Sequence, residues 1–358
     1  MSLVPLYGHN ALRERLRAAV RRGTLPSSLL IHGPRGIGKQ RLALWLGQLL
    51  LCERSPSNEA PCGQCRSCRW VDVLGHPDLR WYFPQRRLKE DLSLEDVQKD
   101  FVTGIENRRD SHGLYAPPSG LDGIFIRTVH LIVHEAAMTP AVGNRKVFII
   151  GDADRMIAQE GADQAANAFL KLLEEPPSDT TVILTTSEPA ALLPTIRSRV
   201  IGVRASPLTD AEVRAFVQDT LVSATLKSPP LPKTVEARVE LAQGAPGRLL
   251  DSTAAAEAAS VATAMLASWR KPASDRFRMG LRFGASQARG FFSEVLDALT
   301  SLLHDRMREY AEAADDDGAQ RAALAIAAVE DAKLRASGNV SPQLIGSSLL
   351  RDFAALRP

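Results

Sequence analysis

The chain has 358 residues, 45% of them hydrophobic and 24% charged, enough for two or three domains with buried cores. Its 44 Lys and Arg against 41 Asp and Glu leave a formal net charge of +3, too balanced for a free-standing nucleic-acid binder with a concentrated basic footprint. No run of about 18 apolar residues and no leader-type apolar region occurs, so membrane spanning and secretion are not expected, and the cytoplasm is the expected location.

Up to about residue 205, short apolar runs alternate with helical stretches, the pattern of an α/β domain with a mainly parallel sheet. The first helical stretch, "LRERLRAAVRR", lines up Arg13, Arg17 and Arg21. It reads as a solvated face, with a phosphate or acidic-partner contact as the alternative. A strand at Leu29-Leu30-Ile31 then runs into "GPRGIGKQ", residues 33 to 40. Gly33, Gly38 and Lys39 satisfy the phosphate-loop pattern G-x-x-x-x-G-K-[ST]. The next position should supply the hydroxyl that ligates Mg²⁺, and it is Gln40. Strand, loop and following helix (Lys39 to Leu51, with Leu42, Trp45, Leu46 and Leu49 on one face) would aim backbone N–H groups at an anion.

All four cysteines fall together, as Cys52-x₉-Cys62-x₂-Cys65-x₂-Cys68. Four thiolates make a closed tetrahedral Zn²⁺ site, expected to be structural because no coordination position stays open. An iron–sulfur cluster is the alternative, without any redox signal beside it. Residues 85 to 122 are strongly charged and fit the α/β rhythm poorly, so they read as an inserted surface helix and a loop, of open purpose.

Lys146 to Ile150 reads as a core strand ending in Gly151-Asp152. A working P-loop ATPase holds its metal with a carboxylate at such a strand end, yet Gly151 stands at that position. Together with Gln40, the ion would lose two protein contacts, the mark of a degenerate site. An alignment shifted by one residue would restore Asp152 as the ligand. A helix from about Asp163 to Glu175 follows, with Ala166, Phe169, Leu170 and Leu173 inward and Pro176-Pro177 ending it. Strands at 181–184 and 201–203 flank "LLPTIRSRVI". Arg197 and Arg199 there are either solvated arginines or a source of charge for a neighbour's γ-phosphate.

From about 208 to 250 a small helical segment opens with a Thr209/Glu212 capping box and closes with "GAPGR". Arg248 there is either part of a capping turn or a nucleotide-sensing residue. Everything from about 253 onward reads as four or five helices forming a bundle.

In order, the P-loop, the four-cysteine insertion, "HPD" at 76–78, "NAFLKLLEEPP" at 167–177, "TTSEP" at 185–189 and "RSR" at 197–199 resemble the delta-prime type of bacterial DNA polymerase III clamp-loader subunit, in the AAA+ clamp-loader family. The resemblance implies an AAA+ P-loop α/β domain over 1–205, carrying a zinc module at 52–68 and the insertion at about 85–122. A helical lid over 206–252 and an all-α collar over 253–358 would follow. The family's Ser-Arg-Cys motif falls on Ser198, Arg199 and Val200, which makes Arg199 the expected arginine finger acting in trans. Thr186 falls at a γ-phosphate-sensing position. The implied partners are tau/gamma motor subunits and a delta subunit in a hetero-pentamer, with sliding clamp and primer-template DNA reached through the complex.

No catalysis by this chain itself is expected, although the polymerase holoenzyme it would join is an enzyme. Weak or no ATP binding is expected at Gly33, Gly38 and Lys39, and structural Zn²⁺ at Cys52, Cys62, Cys65 and Cys68. The alternative is an ATP-hydrolysing motor of the tau/gamma type, which needs a hydroxyl at 40 and a carboxylate at 151. A zinc-dependent DNA-binding module ranks last, because Glu53 and Glu59 offset Arg54, Arg66 and Arg69.

Overall fold

Strands covered on both faces carry continuous apolar runs, not alternation. β1 (Ser28–His32), β2 (Leu79–Tyr82), β3 (Lys146–Ile150), β4 (Thr180–Thr186) and β5 (Ile201–Arg204) form a five-stranded parallel sheet in the order β2-β3-β4-β1-β5. β3 and β4 are buried along their whole length, whereas edge strand β5 is mostly exposed. The computed structural model describes residues 2–57, 59–85, 93–115, 118, 122–156, 169–226, 231–283, 291–336 and 340–357.

β2 is the strand that sequence reading passes over. Exposed Arg80 interrupts its apolar run, and pairs with the buried Glu135 carboxylate at 3.1 Å. Asp78, in the "HPD" motif just before β2, accepts the backbone N–H groups of Ala141, Val142 and Gly143 at 2.5, 2.9 and 3.0 Å. That motif therefore clamps the loop leading into β3.

Of the three arginines aligned on α1 (Asn10–Arg21), Arg21 is exposed, as a solvated face predicts, whereas Arg13 and Arg17 are half-buried. The Arg13 and Arg17 guanidinium groups lie 5.0 and 5.3 Å from the Trp45 ring centroid, and Arg17 also donates to Ala60 O at 3.1 Å. Trp45 belongs to α2 (Lys39–Leu51), which is buried on every side except at Arg41 rather than along one face. α3 (Arg66–Asp72) follows the cysteine loop, and α4 (Leu94–Asp110) opens with a Ser93/Asp96 capping box. α4 lies in the charged insertion, but it is more than a surface helix: Phe101 packs edge-on against Tyr82 and Phe83 at 4.8 and 5.5 Å. Residues 86–92, 116–117 and 119–121 of that insertion lie outside the described residues.

α5 (Ile126–Ala137) leads to β3, and α6 (169–174) to β4. Phe169 and Leu173 of α6 are buried, as the periodicity predicts, while Ala166 lies outside the described residues. α7 (Pro194–Arg197) precedes β5. α8 (Asp210–Gln218) begins at the Thr209/Glu212 capping box that the sequence predicts. α9 (Thr220–Thr225), α10 (Val235–Ala242) and a 3₁₀ turn at Pro246–Asp251 complete this part.

The chain divides into two compact units, Met1–Pro117 with Asp122–Leu250, and Pro118–Leu121 with Asp251–Pro358. In the second, α11 (Ser252–Leu266), α12 (Ala273–Gly280), α13 (Phe291–Glu312), α14 (Asp316–Ala336) and α15 (Pro342–Leu356) share a core that includes Leu296, Leu299, Val329 and Phe353. Among the described residues no helix is long and apolar enough to cross a membrane.

Candidate nucleotide site and metal centre

The C-terminal ends of β1, β3 and β4 converge where the strand order reverses, the usual place for a ligand in an open parallel sheet. The loop after β1 needs its glycines: Gly33, Gly36 and Gly38 all have positive φ, and a side chain on Gly33 would collide with the Ala205 carbonyl oxygen. The chain itself surrounds this loop. Gly247 N–H donates to Gly36 O at 2.8 Å, and a His9 ring nitrogen bonds Ile37 O at 2.8 Å. Arg248, beside Gly247, bonds the Gln243 side chain.

Lys39 is buried, and its ammonium donates to Gly33 O at 3.0 Å, Pro34 O at 2.8 Å and Ser187 Oγ at 2.8 Å. An ammonium has three protons to donate, so this one is saturated by its own chain. Burial pulls its pKa down to about 8, against the opposing pull of Asp152 and Asp154. Thr186, at the end of β4, is equally engaged. Its hydroxyl bonds the Asp154 carboxylate and accepts the Glu188 N–H at 2.9 Å. Burial first, then the nearby Asp152 charge, raises the Asp154 pKa.

Gln40 decides what this end of the sheet can hold. Its Nε2 donates to Asp152 Oδ2 at 2.9 Å, and its Oε1 accepts from Trp81 Nε1 at 3.0 Å and from Arg108 at 3.5 Å. A Cβ built on Gly151 would lie 2.5 Å from Gln40 Cδ and 2.7 Å from Nε2. The amide thus fills the space that a side chain at 151 would need. The residues present do not supply the usual magnesium contacts: position 40 offers no hydroxyl, 151 no carboxylate, and Asp152 Oδ2 accepts from the Gln40 amide.

The cysteines do come together. The Sγ atoms of Cys52, Cys62, Cys65 and Cys68 all lie within 4.8 Å of one another, so the four could hold a metal ion. The Cys52–Cys65 and Cys62–Cys68 sulfur pairs are 4.0 Å apart, close to the ~3.8 Å edge of a tetrahedron with metal–sulfur bonds of about 2.3 Å. Backbone N–H groups of Cys65 and Cys68 point at Cys62 Sγ (3.3 Å) and Cys65 Sγ (3.4 Å). Such donors favour thiolate: those of Cys65 and Gln64 draw the Cys62 thiol down to about 6, whereas burial pushes Cys52 and Cys68 up.

Arg199 lies apart from both sites. Its Nε donates to Glu174 Oε1 at 2.7 Å, and its Nη1 to Thr195 O at 2.8 Å. Two sequence motifs, "LLEEPP" and "RSR", thus meet in one ion pair. Sequence reading missed Trp81, Arg108 and Ser187 as members of the nucleotide-site network; Ser187 lies within the "TTSEP" motif, but no local pattern marks Trp81 or Arg108.

The family model described as DNA polymerase III, delta subunit matches residues 8–209. The chain belongs to this family. DNA polymerase III subunit delta' of Pseudomonas aeruginosa is 35% identical over 182 residues, 51% of this chain and 43% of that one. The subunit delta' of Escherichia coli is 30% identical over 186 residues, 52% and 44% of the two chains. A DNA polymerase III subunit gamma/tau of Mycobacterium bovis is 29% identical over 198 residues, 55% and 27% of the two chains. The chain spans less than half the length of these relatives.

Proposed function

We propose that this chain is the delta-prime subunit of a DNA polymerase III clamp loader in the cytoplasm. It would act as a catalytically silent AAA+ scaffold that helps place the sliding clamp on primed DNA. Residues 1–205 would form the AAA+ domain, 206–252 the lid and 253–358 the collar that joins tau/gamma and delta subunits. Structural zinc would tie Cys52, Cys62, Cys65 and Cys68 together, fixing the loop between α2 and α3. Arg199 would serve a neighbouring subunit's ATP as a finger in trans, where such a group adds about 10³ to 10⁵ in rate. Its guanidinium, held by Glu174 on a segment entering β5, is compatible with that role.

The observation that carries this reading is the Gln40 amide filling the space beside Gly151. A phosphate loop whose lysine is saturated and whose metal position is filled retains the fold of a nucleotide site without its use. Calorimetric titration of Mg-ATP into the zinc-loaded chain tests it. No binding up to millimolar ATP is expected. Micromolar, Mg-dependent binding that disappears in Lys39→Ala would sink the scaffold reading and reinstate a motor of the tau/gamma type.

A further inference from the structure

The charged insertion has a specific contact with the degenerate site that neither the P-loop nor the strand ends require. α4 carries Arg108 near its C-terminal end, in the stretch "ENRRD", where a solvent-facing side chain is the default expectation. Arg108 is buried instead. Its guanidinium carbon lies 3.4 Å from the Phe83 ring centroid, 3.6 Å from that of Tyr115 and 4.2 Å from that of Trp81. Three aromatic rings stabilise a cation through their quadrupoles, and a flat guanidinium stacks among them better than an ammonium would.

Arg108 is also one end of a chain of hydrogen bonds. Its Nη1 reaches Gln40 Oε1 at 3.5 Å, where the Trp81 indole N–H also donates, and Gln40 Nε2 donates to Asp152 at 2.9 Å. The amide is oriented by both ends: its oxygen faces the cation and its nitrogen faces the carboxylate. Each contact polarises the next in a low-dielectric interior. The result is a cation, a bridging dipole and an anion, in a place where a working P-loop site would need a metal between hydroxyl and carboxylate. Burial draws the Arg108 pKa below the ordinary value, and the neighbouring Tyr115 and then the Asp152 charge oppose it by favouring the charged form.

We propose that Arg108 is the built-in substitute for the missing metal: α4 supplies a fixed positive charge that locks the Gln40–Asp152 pair and keeps divalent cation and nucleotide out. The insertion then has a function, to hold the scaffold domain in one nucleotide-independent conformation. Arg108 acts through Gln40, so it is a positioning residue. The inference rests on the reading that the site does not use Mg-ATP, and it adds a cause. Restoring the two missing ligand positions would be insufficient while Arg108 keeps its charge.

The test uses the full, zinc-loaded chain, with Mg-ATP titrated by calorimetry and Mn²⁺ by water-proton relaxation. In Gln40→Thr/Gly151→Asp with Arg108 intact, binding is expected to stay at millimolar or weaker. Adding Arg108→Met, which keeps the apolar stem among the rings but removes the charge, is expected to tighten both Mn²⁺ and Mg-ATP at least tenfold. Adding Arg108→Lys instead, which keeps the charge, is expected to leave both weak. Unchanged affinity in the Met variant would overturn the proposal, as would equal tightening by Met and Lys. Tight binding in the two-site variant with Arg108 intact would do the same. Should the two-site variant fail to fold, Gln40→Ser alone, which leaves Gly151 in place, carries the same Met-against-Lys comparison. Micromolar binding by the unaltered chain would instead sink the scaffold reading itself, so the two failures are distinct.

Discussion

Gln40 and Gly151 are complementary: the amide of one occupies the volume that a side chain on the other would need, with the hypothetical Cβ 2.5 Å from Gln40 Cδ. Gly151→Ala should therefore destabilise the α/β unit by about 1–3 kcal/mol, the usual cost of overpacking. Gln40→Ala alone should also destabilise it, because it leaves the buried Trp81 N–H without its acceptor. The double variant removes the collision, so its loss should fall short of the sum of the single losses by at least about 0.5 kcal/mol. Denaturant unfolding of the four proteins measures this coupling. Additive losses would mean that the two positions do not compete for space.

Zinc should be stoichiometric with the chain and bound by all four thiolates. Chelation should lower the melting temperature and raise amide exchange through the cysteine loop and α3, because Cys65 and Cys68 anchor that helix at its start. Structural zinc can contribute on the order of 10 kcal/mol to local folding. Protons compete with metal for thiolate, so release should begin as pH falls. A metal-free protein with the melting profile of the metal-loaded one would rule out this structural role.

Lys39 gives a pH signature of definite sign. Its pKa in the folded chain is about 8, below the ordinary 10.5, so between those values the unfolded chain binds more protons than the folded one. Stability contributed by this group then rises with pH across that window and is flat on either side, with a span on the order of 3 kcal/mol. The measurement is the difference in unfolding free energy between the chain and Lys39→Met, at about pH 7.5 and about pH 9.5. The unaltered chain should gain on the variant at the higher pH. An equal difference at both pH values would show that burial does not shift Lys39.

What the sequence made legible was local. Four cysteines within one short stretch, the glycines of the loop and the Thr209/Glu212 cap each declare themselves over a few residues, and the fold brings them together as spacing requires. β2 was illegible because it is only four residues long and one exposed arginine breaks its otherwise buried run. The Gln40 network was illegible for a different reason. Trp81 and Arg108 lie 41 and 68 positions from Gln40, and Arg108 sits in a charged helix where burial is the exception. Absence of a hydroxyl at 40 could be read, but not what replaces it.

Arg199 is the residue whose role depends most on assembly. In the isolated chain it holds a partly exposed ion pair with Glu174, worth about 0–1 kcal/mol. Arg199→Ala should therefore leave the isolated chain nearly as stable as before. In a reconstituted clamp loader the same change should lower ATP turnover at the adjoining site by up to about 10³-fold or more. Glu174→Ala separates positioning from charge: Arg199 keeps its guanidinium and its bond to Thr195 O, so turnover should fall only several-fold. Single-turnover hydrolysis at that one site, with the other sites disabled, is the measurement. Equal turnover with and without Arg199 would leave Glu174 and Arg199 as a surface ion pair that ties α6 to the entry of β5.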